Sequence, residues 1–105
     1  MTYDAVFTAL ADPRRRDIFE ALREAPRSVG ELASQQPVSR PAVSQHLRVL
    51  EEAGLVSAER VGTRRFYSVN RAGLNALRDY LDSFWSDALS AYAQRIAERT
   101  GATSD

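Results

Sequence analysis

Between Ser39 and Glu52 the chain sets Arg40, Ser44, Gln45 and Arg48 three and four residues apart on a segment with helical periodicity. Arginine forks and glutamine amides pair bidentately with the edges of guanine and adenine, so this is chemistry suited to reading a DNA major groove. At about 100° per residue, Val43, Leu47 and Leu50 fall within roughly 60° of one another and form the inward stripe. Pro41, Gln45, Arg48 and Glu52 point the opposite way, with Arg40 and Ser44 beside them. Ser39 caps the start of this helix and Gly54 supplies the left-handed position that ends it, giving a helix over 39–53.

Other elements must hold such a helix. Tyr3, Val6, Phe7 and Leu10 recur at helical spacing and predict a short first helix ending near Ala11-Asp12-Pro13. Asp12 caps a second helix with Pro13 at its first position, where a missing N–H costs nothing. Ile18, Phe19 and Leu22 form its apolar face. Ser28-Val29-Gly30-Glu31 is a capping-box pattern that opens a third helix with Leu32 inward, broken at Pro37-Val38-Ser39. Beyond Gly54 the period becomes alternating across Leu55–Arg60 and Arg65–Val69 around Gly62, a β-hairpin signal. From Asn70 the pattern is helical again.

The order predicts a mainly α fold with a small hairpin, α-α-α-α-β-β-α. Two helices joined by a short turn, the second polar outside, make a helix-turn-helix, and the hairpin behind it makes a wing over 60–67. The expected wing tip is Thr63-Arg64-Arg65. Arg64 and Arg65 there, with Arg60, Thr63 and Tyr67 on the wing, are expected to contact backbone phosphate or the minor groove. Residues 1–99 read as one DNA-binding and dimerisation domain and 100–105 as a flexible tail.

Charge supports this reading by its location. The net charge is zero, all 14 basic residues are Arg, and six of them lie between Pro37 and Arg71 against three Glu. With no cysteine, disulfides, thiolate metal sites and thiol redox switches are excluded. No segment approaches the roughly 18 apolar residues of a membrane span and no signal-peptide pattern opens the chain, so a soluble cytoplasmic protein is expected. Neither a nucleophile-base pair nor a Gly-rich phosphate loop can be assembled, which excludes the enzyme classes considered.

The last helix points to a homodimer. Running from Arg71 to Arg99 it would be about 40 Å long, against a radius of gyration near 13 Å for a domain this size. One subunit cannot cover its stripe of Leu81, Phe84, Trp85, Ala88, Leu89, Tyr92 and Ile96. Two copies packing these residues, with Tyr3, Val6, Phe7 and Leu10 of the first helix, would bury it. A two-fold dimer then presents two recognition helices about 34 Å apart, the spacing of an inverted-repeat operator on double-stranded DNA.

Val38-Ser39-Arg40-Pro41-Ala42-Val43-Ser44-Gln45-His46-Leu47 through Ala53-Gly54-Leu55-Val56, then Gly62-Thr63-Arg64 ahead of Tyr67, resembles the winged-helix repressors of the ArsR/SmtB family. The resemblance runs from Phe7–Arg15 to the Phe84-Trp85 pair. It implies a homodimeric bacterial transcriptional repressor with Ser39, Arg40, Ser44, Gln45 and His46 at recognition positions and Arg64 at the wing position. The metal sensors of that family open their third helix with Cys-Val-Cys, where this chain has Ser28-Val29-Gly30. Its last helix has Asp79, Asp82 and Asp87 but no His, a poor set for zinc. The resemblance is therefore to the branch without metal, and no cofactor is expected.

Plainer roles stand beside these. His46 sits at the edge of the inward stripe and could simply pack there. Arg14-Arg15-Arg16 reads as surface charge. Phe84, Trp85 and Tyr92 read as core or dimer seam ahead of a pocket for a small-molecule inducer, and the sequence names no inducer. A winged helix used only for protein contact is the alternative function, but it would need an apolar outer face on the fourth helix.

Overall fold

Asp12 and Pro13 make the first corner of the chain. In the computed structural model, which describes residues 3–99, α1 (Asp4–Ala11) ends where Asp12 turns extended. The Asp12 carboxylate accepts from the Arg14 N–H at 2.8 Å and the Arg15 N–H at 3.4 Å, capping α2 (Pro13–Ala21). The same corner closes α1 from the other side. Arg15 Nε donates to the Ala9 carbonyl at 2.8 Å, and Arg16 Nη1 donates to that of Leu10 at 2.8 Å. Two residues of the arginine run therefore satisfy carbonyls that a helix C-terminus leaves without partners. The expected 100–105 tail lies outside the described residues.

A two-residue strand absent from the sequence reading, β1 (Arg27–Ser28), follows. Its second residue caps α3 (Val29–Gln35) in a full capping box: Ser28 Oγ accepts from Glu31 N at 3.2 Å, and Glu31 Oε1 accepts from Ser28 N at 2.9 Å. After the turn at 36–39, Ser39 Oγ accepts from Ala42 N at 3.3 Å and α4 runs Arg40–Glu52.

The end of α4 is a Schellman motif. Leu55 N–H returns to the Leu50 carbonyl and Gly54 N–H to that of Glu51, both at 3.0 Å, with Gly54 at φ +81°. β2 (Val56–Val61) and β3 (Arg64–Val69) then pair antiparallel from Val56↔Val69 to Val61↔Arg64. The loop is Gly62-Thr63 alone, with positive φ only at Gly62 (+65°), the pattern of a type II′ turn. The tip is thus one residue earlier than the sequence reading put it, and Arg64 and Arg65 begin the return strand. β1 pairs the far edge of β3 at Arg27↔Tyr67 and Ser28↔Phe66, giving sheet order β1-β3-β2.

Two compact units divide after Asn75. In the first, Ile18, Leu22, Leu32, Val43, Leu47, Leu50, Leu55 and Val56 are buried together with Val6 and Ala9. The inward stripe of α4 is its centre: Val43, Leu47 and Leu50 are fully buried. α5 (Arg71–Arg99) starts in this unit, where Asn70 Oδ1 accepts from Ala72 N at 3.1 Å and Asn70 N donates to the Leu55 carbonyl at 2.8 Å. The second unit holds the rest of α5, exposed on every side from Arg78 to Arg99.

Candidate nucleic-acid interface

Burying Val43, Leu47 and Leu50 leaves the other side of α4 no choice but to face out. Ser39, Arg40, Pro41, Ser44, Gln45 and Arg48 are all exposed. Arg48 Nε lies 3.6 Å from Glu52 Oε2 one turn on, with both side chains about 70% exposed at 72% and 70%. A pair this open contributes little, so its guanidinium can exchange Glu52 for another anion at small cost.

His46 differs from its neighbours. It is half-buried, and its Nδ1 is enclosed with no hydrogen-bond partner among the described residues.

The wing carries three further predicted residues. Arg60, Thr63 and Arg65 are exposed, and Arg60 stands directly across the ladder from Arg65. Like charges placed opposite one another are unfavourable. Arg65 relieves part of this by reaching Glu51 of α4, Nη2 to Oε2 3.8 Å, while its guanidinium lies 5.6 Å from the centre of the Tyr67 ring.

Two wing residues are placed differently from the expectation. Tyr67 is 8% exposed, a core side chain with Arg65 above it, so it has almost no surface to offer a phosphate. Arg64 does not project from the tip. Its Nη2 donates to Ser28 Oγ at 3.0 Å, and its guanidinium sits 5.0 Å from the Phe66 ring centre.

Two carboxylates brace this architecture. Asp12 is held below the usual carboxylate value chiefly by the Arg14 N–H, with Arg15 adding to it. Glu31 is lowered chiefly by the hydrogen bond from Ser28 N–H, then by the charge of Arg64.

The expected dimer residues separate by unit. In the first, Val6 is 1% exposed and belongs to its own subunit's core, which removes it from any interface. Phe7 is exposed, and Tyr3 and Leu10 are half-buried. In the second, Leu81, Phe84, Trp85, Ala88, Leu89, Tyr92 and Ile96 are all exposed, Phe84 at 71% and Trp85 at 63%.

Helix, turn, polar-faced helix and hairpin in this order match known regulators. Residues 12–58 match the bacterial regulatory proteins of the arsR family. Over 93 residues, 89% of this chain and 87% of its relative, the sequence is 56% identical to the HTH-type transcriptional regulator Rv2034 of Mycobacterium tuberculosis. This chain belongs to the ArsR family. It is 33% identical over 79 residues to the transcriptional repressor SdpR of Bacillus subtilis, covering 75% of this chain and 88% of SdpR. Among solved structures it is similar to the homodimeric winged helix-turn-helix DNA-binding domain of Mb0332 from Mycobacterium bovis, a possible ArsR-family regulator. That likeness has TM-score 0.65 and 28% identity and covers 84% of this chain and 82% of the other.

The ArsR-family chain is accordingly a transcriptional regulator with a winged helix-turn-helix fold, and not an enzyme. None of its helices, among the described residues, is long and apolar enough to cross a membrane. The position where the family's metal sensors have thiolates does not fit a soft metal here. Ser28 Oγ is occupied by Glu31 N–H and Arg64, Gly30 has no side chain, and the neighbouring groups are cationic. On α5, Asp82 is taken up by Arg78 at 3.8 Å.

Proposed function

We propose that this chain is a homodimeric, sequence-specific repressor. It binds an inverted-repeat operator with α4 in the major groove and the hairpin as wing, and residues 1–99 act as one DNA-binding and dimerisation domain. The observation that carries the reading is the outer face of α4. Arg40, Ser44, Gln45 and Arg48 stand exposed on a helix whose opposite stripe is locked into the core. That face offers base-edge donors and acceptors on a rigid element, and an exposed Arg60–Arg65 pair lies across the adjoining hairpin to take phosphate. Repression is in keeping with SdpR, and dimerisation with the Mb0332 domain.

The exposed stripe of α5 supports the second copy. Phe84, Trp85 and Tyr92 at their present exposure offer roughly 300–500 Å² of aromatic surface. That is a substantial share of the ~800 Å² that each partner buries in a standard interface. Tyr3, Phe7 and Leu10 of α1 complete the proposed seam. Exclusion of polymerase from the promoter is the proposed mode of repression, and the DNA upstream of the chain's own gene is the first operator to try.

Footprinting on that DNA tests the geometry. Two protected half-sites related by a dyad, their centres about one turn or roughly 34 Å apart, are expected. Protection of one undivided half-site would remove the dimeric reading, and uniform protection would remove sequence specificity.

A further inference from the structure

Where the start of α4, the return strand of the wing and the Ser28 corner meet, a cleft of about 270 Å³ is lined by Ser28, Val29, Gly30, Arg40, Arg64 and Arg65. Arg40 and Arg64 bring their guanidinium groups to it, and that of Arg64 is held in place. It is bound to Ser28 Oγ at 3.0 Å and lies over the Phe66 face, whereas Arg65, next along the strand, carries its guanidinium over Tyr67 toward Glu51. Arg40 comes over the first turn of α3 because residue 30 is glycine: a Cβ there would stand 3.0 Å from Arg40 Nη2 and 3.4 Å from its Cζ.

The charges in the cleft are not balanced. Among the described residues neither Arg40 nor Arg64 has a carboxylate at ion-pair distance. Glu31, the acid that acts on Arg64, already accepts from the Ser28 N–H. Like charges around one concavity repel each other and concentrate an anion there. Each guanidinium has five N–H donors, and Arg64 spends one on Ser28, which leaves forks suited to a tetrahedral oxyanion.

We propose that this cleft is an oxyanion seat for a phosphate group, gripped by Arg40 and Arg64. A backbone phosphate of bound DNA and a free phosphate-bearing small molecule present the same chemistry. The first source rests on the DNA-binding reading above, and the second does not. Either occupant would tie the start of the recognition helix to the wing.

The test is a titration of the full chain with inorganic phosphate at constant ionic strength, chloride as balance, reading the Nε–Hε resonances of Arg40 and Arg64. Saturable shifts in both are expected, with affinity lowered about tenfold in Arg40→Gln, the scale of one hydrogen bond to a charged group. Gly30→Ala, which keeps every charge, should weaken phosphate by displacing Arg40. Shifts that never saturate, or that saturate equally in both variants, would overturn the seat. Repeating the titration on protein saturated with duplex separates the sources. Loss of the phosphate response assigns the seat to backbone phosphate, and its persistence assigns it to a free anion. Protein that binds phosphate but no DNA would refute the DNA-binding reading and leave the seat standing.

Discussion

Gly73 at the start of α5 lies directly against the backbone of Gly54, so that a Cβ on Gly73 would collide with the Gly54 carbonyl oxygen and stand 2.8 Å from its carbon. The turn that ends the recognition helix therefore seats the first turn of α5. Two glycines are needed there for different reasons: Gly54 for its φ of +81° and Gly73 for lack of space.

Gly73→Ala is expected to destabilise the protein by about 1–3 kcal/mol or more, as overpacking against immobile backbone does. Gly54→Ala meets open space and should cost only the left-handed penalty of about 1–2 kcal/mol. Urea denaturation of both variants checks the order. A Gly73→Ala protein as stable as wild type would mean that the two segments separate readily.

Ser28→Ala removes the capping box and the hydroxyl that holds Arg64, and Ser39→Ala removes the cap of α4. Each should cost on the order of 1 kcal/mol in the same assay. Ser28→Ala should in addition free Arg64, seen as faster side-chain relaxation, whereas Ser39→Ala should leave Arg64 unmoved.

Asp12 and Glu31 have folded-state pKa values below their unfolded ones, first through the Arg14 and Ser28 N–H groups respectively. Their contribution to stability is complete above the unfolded carboxylate value near pH 4 and is lost as pH falls through the lower folded values. Asp12→Asn and Glu31→Gln should therefore be less stable than wild type at neutral pH and approach it in acid. A gap that stays constant from neutral pH down to about 2 would rule out this coupling.

On the proposed DNA face, Gln45→Ala should relax base preference at one position in each half-site, a loss of about 1–3 kcal/mol for the preferred base. Arg48→Ala breaks only the open pair with Glu52, so stability should stay within about 0.5 kcal/mol. If Arg48 meets phosphate, affinity falls evenly across sequences and the salt slope drops by about one. Selection of bound duplexes from a randomised half-site, with a salt series, reads both effects.

Trp85→Glu on the exposed stripe of α5 should yield folded monomer by sedimentation. With one half-site engaged instead of two, operator affinity should fall by about a hundredfold or more. A dimeric Trp85→Glu protein would place the seam elsewhere.

Helix boundaries were readable from sequence because each is written in a short-range chemical signal: Asp12-Pro13, Ser28 with Glu31, Ser39, and Gly54. The exposed face of α4 followed from the period of Val43, Leu47 and Leu50. What was not readable depends on partners distant in sequence. β1 is two residues long and has no period; only its pairing with Phe66 and Tyr67 defines it. The same pairing, with Ala58 on the other side, encloses Tyr67, a side chain that alternation alone left free for DNA. Arg15 and Arg16 read as surface charge because their acceptors are the last carbonyls of α1, reached only once the corner at Asp12 has formed. Arg64 read as a wing tip because its tether, Ser28, is 36 residues away.

Fluorescence anisotropy of the purified protein with DNA from upstream of its own gene and with a scrambled duplex, over a salt series, tests the central claim most directly. Salt-dependent binding at least about a thousandfold tighter to the first duplex is the predicted result. Equal, weak binding to both duplexes would contradict the assignment of α4 as a sequence-reading helix.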